Sequence, residues 1–578
     1  MEISDKDLHS VCPKAARKLT GSNAKSGGAR WTMCATGLLS LMWFLARVLP
    51  KPSRAAYPCQ QAAAPLASGF VLWMVGALAT MWASSRVREL WRRSRVVLAC
   101  ACLLVAAALA IGALVTVRES QAPEGIPSPN QPMGVAKGLY PGRVVWVHDP
   151  AATNWEGPGK GHWWESEHTS QPAADRMMSV AMRRLTGGGN DAEAWDALFR
   201  HFNRNHGGGN SGYRKGEKIA IKVNLVGCIV GGNNPQVDPK TYDLVRQLDY
   251  MNTSPQMIVA LLRQLVRQAG ARQEDISVGD PLSRFPNQYY EICRREFPNV
   301  HYLDHDGGNA EHPRTRVEPS TVPFYWSSRP AGKTQDFVPV PYAEAKYLVN
   351  MANLKSHTSG GVTLCAKNHY GSLSRRPPEK GYYDMHESLA RPTTGSGHYR
   401  ALVDLMGHAH TGGKTLLYFI DGLYPGGHPT ESSPRKFSSA PFNGSWASSL
   451  FASQDPVAID SVAFDFLWSE WDNYPRMSGA DDYLHEAAQA GKPPSGMFYD
   501  PDHSTNTTRL ASLGVHEHWN NPADRQYSRN LGKGQGIELV RADAVVRPPS
   551  PNATVAAAPN SAPAAPRTLR GSRGSVLD

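Results

Sequence analysis

Cysteine is scarce in this chain. Eight occur in 578 residues, at Cys12, Cys34, Cys59, Cys100, Cys102, Cys228, Cys293 and Cys365. Three of them lie beyond residue 117, far apart and without a C-x-x-C pair. That spacing excludes a disulfide scaffold, a zinc ribbon and a ferredoxin-type cluster site. A Walker loop, a G-x-S-x-G elbow and an H-E-x-x-H pair are also missing. The sequence signatures of P-loop nucleotide binding, α/β-hydrolase chemistry and zinc peptidases are therefore absent. Charged residues make up 19% and hydrophobic ones 41%. This balance rules out a wholly disordered chain.

The net charge of +11 resembles a nucleic-acid signal until it is partitioned. Residues 1–117 hold 14 basic and 4 acidic side chains, and residues 547–578 hold four Arg and one Asp. The 43 basic and 45 acidic residues of 118–546 nearly cancel. The body is close to neutral, so no nucleic-acid partner is expected.

Three apolar stretches open the chain, at 31–46, 55–85 and 96–117. A spanning helix needs about 20 apolar residues. The third stretch meets this outright, the second is adequate, and the first is marginal because Arg47 must snorkel. Basic residues are dense before the first stretch, sparse between the first and second, and dense again between the second and third. The positive-inside rule then puts the body outside the cytoplasm. Arg92-Arg93 ahead of the third stretch also resembles a twin-arginine export signal, and that reading exports the body too. The expectation is two to three transmembrane helices in 1–117, a Pro/Gly/Ser linker at 118–138, an α/β domain at 139–546 and a disordered Pro/Ala-rich tail at 547–578. Localisation at the cell membrane follows, with the main domain on the extracytoplasmic side.

Within the body, strand and helix signals alternate. Strands are predicted at 143–148, 218–223, 276–279, 300–303, 347–351 and 416–420, and helices at 176–185, 192–202 and 288–297. A further helix is capped by Thr253 or Ser254, has Pro255 in its first turn and ends at Gly270. Its Ile258, Leu261, Leu262, Leu265, Val266 and Ala269 form one buried stripe. Asp455-Pro456 opens another, with Ile459, Val462, Ala463, Phe466 and Leu467 on one face. The alternation predicts an α/β fold with an open, largely parallel sheet and flanking helices.

In such sheets ligands bind beyond the carboxyl ends of the strands. Polar residues of this sequence gather there: Asn224, Asp280, Asn353, Lys355, His357 and Asp421. The stretch NLKSHTSGGVTLCAKNHYG (353–371) adds Thr363, Lys367, Asn368 and His369. Lysines, histidines and a glycine pair suit an anionic ligand or proton transfer. Seven His fall within 72 residues, from His357 to His428. A divalent metal held by His408 and His410 with Asp421, or with Asp384 or Asp404, is one explanation, and scattered surface histidines are the other. Asp455 reads as a helix cap, Asp460 as a solvated helix position, and Cys365 as a buried small side chain.

Together KIAIKVNLV, the 254–280 helix–strand unit, the 347–373 core, YFIDGLYPGGH and SLFASQDPVAIDSVAFDFL resemble a bacterial family catalogued as domain of unknown function 362. The resemblance covers roughly residues 140–540 and implies an α/β fold and, often, twin-arginine export. Many such proteins carry a fused iron–sulfur ferredoxin module; the cysteine count here implies none, so no iron–sulfur cluster is expected. Hallmark positions carry over as Lys222, Asn224, Lys355, His357, Thr363, Lys367, Asn368, Gly371, Asp421, Asp455 and Asp460. The resemblance implies no activity. The leading expectation is an enzyme on a small anionic substrate, with His357, Lys355 and Lys367 catalytic, and Lys222, Asn224, Asn368 and Thr363 holding substrate. The alternatives are a cell-surface binding or structural module and an electron-transfer accessory.

Overall fold

The computed structural model describes residues 129–230, 236–245, 249–329, 335–374, 384–428, 431–503 and 509–544. The chain divides into two units, Met1–Gly125 and Ile126–Asp578, and the described residues all belong to the second. The three apolar stretches and the tail beyond residue 546 lie outside them. Among the described residues no helix is long and apolar enough to cross a membrane.

A ten-stranded sheet organises the second unit. Its strands are β1 (Arg143–His148), β2 (Ile219–Val223), β3 (Ile276–Gly279), β4 (His301–Asp304), β5 (Thr315–Arg316), β6 (Tyr347–His357), β7 (Gly361–Thr363), β8 (Thr415–Gly426), β9 (Ser449–Ser453) and β10 (Glu538–Asp543). The order across the sheet is β10-β1-β9-β8-β6-β2-β3-β4-β5, with β7 folded back on the end of β6. On that path β9 alone runs antiparallel to its neighbours. The remaining pairings are parallel. The expected open, largely parallel sheet is present.

Helices cover both faces. α1 (Gln171–Thr186), α2 (Asp191–Asn205), α3 (Pro255–Arg263) and α4 (Asn287–Arg294) pack on one side against Val145, Ile221, Val349 and Phe419. On the other side α6 (Ala401–Gly407), α7 (Pro456–Glu470) and α8 (Asp482–Ala488) pack against Val144, Trp146, Tyr418 and Phe451. The short α5 (Cys365–Asn368) follows β7 on this second side. Val144 and Val145 face opposite cores because a strand alternates its side chains. With both faces covered, strands read as continuous apolar runs such as IAIKV and TLLYFI.

Local chemistry sets the boundaries. Ser254 caps α3 by accepting the amide of Met257 at 3.2 Å, and Pro255 occupies the first turn. α3 passes into a π-helical turn at Gln264–Gln268 and stops at Gly270, whose φ is +75°. Asp455 caps α7 through Val457 and Ala458. α7 is buried all round from Pro456 to Leu467, not along one face as its spacing predicted. Apolar residues on every side mark a helix enclosed by other elements.

One feature of the topology places the site. From β2 the chain moves through β3 and β4 to β5 on one side, then returns to lay β6 and β8 on the other side of β2. The order therefore reverses between β2 and β6. At such a switch point the connections leave the two strand ends in opposite directions and open a crevice.

Candidate functional site

The crevice beyond β2 and β6 holds a cavity of about 330 Å³. Lys222, Asn224, Asp280, His357, Thr363, Lys367, Asn368, His386 and His428 are among its lining residues. β2 delivers Lys222 and Asn224, and β3 delivers Asp280. β6 delivers Lys355 and His357 because it runs on for six residues past Met351, the predicted end of that strand. That extension folds back as the β6–β7 hairpin, with His357 opposite Gly361 and Lys355 opposite Thr363. Gly361 adopts φ +80°, which an L side chain rarely takes. α5 follows immediately and carries Lys367 and Asn368.

Beneath the cavity lies a closed polar network. The Lys222 ammonium donates to Asn368 Oδ1 at 2.9 Å and to the Val223 carbonyl, and pairs with Asp280 Oδ2 at 3.1 Å. Asn224 Nδ2 donates to the same Asn368 oxygen at 3.1 Å. The Asn368 amide in turn donates to Asn350 Oδ1 at 2.7 Å. Lys355 donates to Asn224 Oδ1 and to the Met251 carbonyl, both at 2.6 Å. Lys222 and Lys355 are fully buried. Burial lowers the pKa of each; Asp280 opposes the shift at Lys222, and the Lys367 charge adds to it at Lys355. Gly371 backs this network: a Cβ there would come within 2.5 Å of Asp280 Oδ1 and 2.8 Å of Lys222 Nζ.

The groups that face the cavity are differently placed. Lys367 is half-buried, and its ammonium has no hydrogen-bond or ion-pair partner among the described residues. The Tyr370 ring lies 5.8 Å away. Burial lowers the Lys367 pKa to about 8, with Asp384 opposing. The Thr363 hydroxyl is buried without a hydrogen-bond partner. His357 is 8% exposed, and its Nδ1 accepts the amides of Ser359 at 3.0 Å and Gly360 at 3.1 Å. Backbone amides can only donate, so the proton of the neutral ring sits on Nε2. Burial, then the charges of Lys367, His386 and His428, hold the His357 pKa well below the usual imidazole value. With Nδ1 accepting, Nε2 is the donor position of the ring. The His386 and His428 rings stand 5.9 and 6.2 Å from it, centroid to centroid.

Asp460 positions α5 from beneath. Its oxygens accept the amides of Cys365 at 2.8 Å and Ala366 at 3.0 Å and the Tyr483 hydroxyl at 3.1 Å. It is fully buried, which corrects the solvated position its helical setting suggested, and burial raises its pKa to about 6. Asp455 accepts four backbone amides, from Val457, Ala458, Lys137 and Val515, as a cap should. Cys365 is buried beside the Phe419 carbonyl.

The expected metal trio does not assemble. Asp421 ends the core of β8, where its carboxylate accepts the amides of Ser254 at 2.8 Å and Leu423 at 3.0 Å. His408 and His410 precede the other end of β8. Asp421 lies six residues on from Thr415 along the strand, about 20 Å at about 3.3 Å per residue. Both His408 nitrogens are engaged, Nε2 with the Pro323 carbonyl and Nδ1 with the His410 amide. His410 Nδ1 lies 3.1 Å from the Lys414 ammonium.

Sequence reasoning missed Asn350, which looks like one more strand residue, and the Met251 carbonyl, which no residue type advertises. It named Gly371 without a reason for a glycine there.

Residues 219–465 match the sequence model of a family described as Domain of unknown function (DUF362). No curated protein and no solved structure matches the chain. The matched segment starts on β2, ends in α7 and contains every residue of the network and cavity named above. Over this segment the chain is similar to the DUF362 family.

Proposed function

We propose that the crevice binds a small anionic substrate and performs acid–base chemistry on it with Lys367 as the proton-transfer group. The observation that carries this is the Lys367 ammonium at the cavity wall, which has no hydrogen-bond or ion-pair partner among the described residues. Burying an unpaired charge is costly, so such a group persists where a ligand completes its partners. A carboxylate or phosphate would supply that partner, and the orphaned Thr363 hydroxyl and the His357 Nε2–H would donate to its remaining oxygens. With a pKa near 8, Lys367 takes up or releases a proton close to neutral pH, as an acid–base group must. His357 then acts as a neutral electrophilic donor and not as the base, because both of its Nδ1 contacts are amides. Lys222, Lys355, Asn224 and Asn368 hold the walls in place and do not exchange protons.

A second reading, a structural module with a buried polar network, has support in the closed Lys222–Asn368–Asn224–Lys355 hydrogen bonding. The two make different demands on Lys367. Thermal-shift titration of the full-length protein with small carboxylates and phosphates tests this. A saturable ligand that protects wild type but not Lys367→Met supports the enzyme reading. A Lys367→Met variant that melts far below wild type, with no ligand found for either protein, overturns it. The membrane anchor and extracytoplasmic placement belong to this proposal, on the apolar stretches before residue 118. A reporter fused after residue 546 that is active only when exported checks them, and one active only in the cytoplasm refutes them.

A further inference from the structure

A second cluster lies outside the crevice. Asp481 sits just before α8, His485 is four residues on, and His516 and His518 flank Glu517 on an extended segment. Spacings of four on a helix and two on a strand each bring a pair of side chains to one side. One ligand atom from each of the four residues lies within 4.8 Å of the others. Asp481 Oδ2 stands 3.4 Å from His485 Nε2 and 3.5 Å from His518 Nε2. These separations are long for charge-assisted hydrogen bonds, which close to about 2.7–2.9 Å. They match the edge of a tetrahedron of donors about 2.0–2.1 Å from one ion, which is about 3.3 Å.

The surroundings aim the lone pairs inward. His518 Nδ1 donates to Asp465 Oδ1 at 2.6 Å, and Asp465 is fixed by the Trp519 amide and the Tyr527 hydroxyl. His516 Nδ1 lies 2.8 Å from Ser461 Oγ, whose own proton goes to the Val457 carbonyl at 2.7 Å. The serine oxygen therefore accepts from His516. The neutral His516 ring then keeps its lone pair on Nε2, and Nε2 of His518 faces Asp481. For His518 that atom is buried and has no hydrogen-bond partner. Asp481 stands at the helix cap position, yet its side chain makes no cap hydrogen bond. Histidines held through their outer nitrogen by a carboxylate or hydroxyl are the usual support of a metal ligand set.

We propose that Asp481, His485, His516 and His518 form a four-coordinate site for a divalent transition metal of the zinc class. Three imidazoles and one carboxylate suit zinc, and four protein donors would make the site structural. It would staple the 515–519 segment to α8, with α7 behind it supplying Ser461 and Asp465. The same α7 carries Asp460 toward α5, so the staple steadies the helix beneath the crevice.

The test is elemental analysis of the full-length protein purified without chelator, beside Asp481→Asn/His485→Gln and a His386→Gln/His428→Gln control. One zinc per chain in wild type and control, and loss in the first variant, is expected. The chelator-treated wild type should also take up Co2+ with the intense visible bands of a tetrahedral site. That measurement decides the matter if the variant fails to fold. A wild-type protein that holds no metal, shows no such bands with Co2+ and gains no thermal stability from added Zn2+ overturns the proposal. So does full zinc retention in Asp481→Asn/His485→Gln.

Discussion

Replacing Lys222 by methionine tests the floor of the crevice most directly. The substitution keeps the volume and removes the ammonium. It leaves Asp280, 5% exposed, without its cation, and strips a donor from Asn368 Oδ1 and the Val223 carbonyl. Breaking a buried pair from one side costs about 3–5 kcal/mol, because an uncompensated charge stays behind. Unfolding entropy is about 2.1 cal/mol/K per residue, so roughly 400 ordered residues give about 0.8 kcal/mol/K. A loss of about 4 kcal/mol then lowers Tm by about 5 °C. Differential scanning calorimetry of the full-length protein reads this. Adding Asp280→Asn removes the stranded charge and keeps an acceptor for the Leu225 amide, which Asp280 Oδ2 receives at 3.0 Å. The double variant should recover at least half of the loss, a coupling of about 2 kcal/mol. A Lys222→Met protein that melts within about 1 °C of wild type, or a double variant less stable than the single one, would refute the reasoning.

Asp460→Ala should destabilise by about 3 kcal/mol, since it orphans two buried amides and the Tyr483 hydroxyl; it should also weaken anion binding by displacing Lys367, and denaturant melts with ligand titrations check both. Anion affinity should fall as pH rises through about 8, where Lys367 loses its proton, and Lys367→Met should abolish that dependence in a titration series. Stability moves the other way: the folded pKa of Lys367 lies below that of an unfolded lysine, about 10.4, so the unfolded chain binds more protons between the two values. This group therefore adds stability as pH rises from about 8 to 10.4, and calorimetry across that window should show a rise that Lys367→Met lacks. Asp404 has the opposite sign. It is fully buried beneath Ser327 and Tyr399 with its pKa raised to about 7, so its ionisation costs stability as pH rises from about 4 to 7, and Asp404→Asn should flatten that part of the profile.

The elements of the sheet were legible because their signals are local. Apolar runs bounded by polar residues marked β1, β2, β3 and β8, and Ser254-Pro255 with Gly270 marked both ends of α3. The gathering of Lys222, Asn224 and His357 followed from one general property of α/β sheets, that loops beyond the carboxyl ends converge. β9 escaped because SLFAS is short, and its antiparallel direction depends on where the chain re-enters the sheet. The metal trio failed because proximity in sequence was taken for proximity in space, and a strand carried Asp421 away from His408 and His410. Asp481, His485, His516 and His518 escaped for the converse reason, as two spaced pairs about thirty residues apart share no local signal.

Local signals in the sequence marked most of the strands and helices, the family that residues 219–465 resemble and the end of the sheet where the polar residues gather. Those depend on periodicity, capping and residue type, which act over a few positions. Only the tertiary structure decided the division of labour among the lysines. Lys222, Lys355 and Lys367 are one residue type on three strand-end or helix positions. What separates them is whether burial left each ammonium facing Asn224, Asn368 and Asp280, or an open cavity.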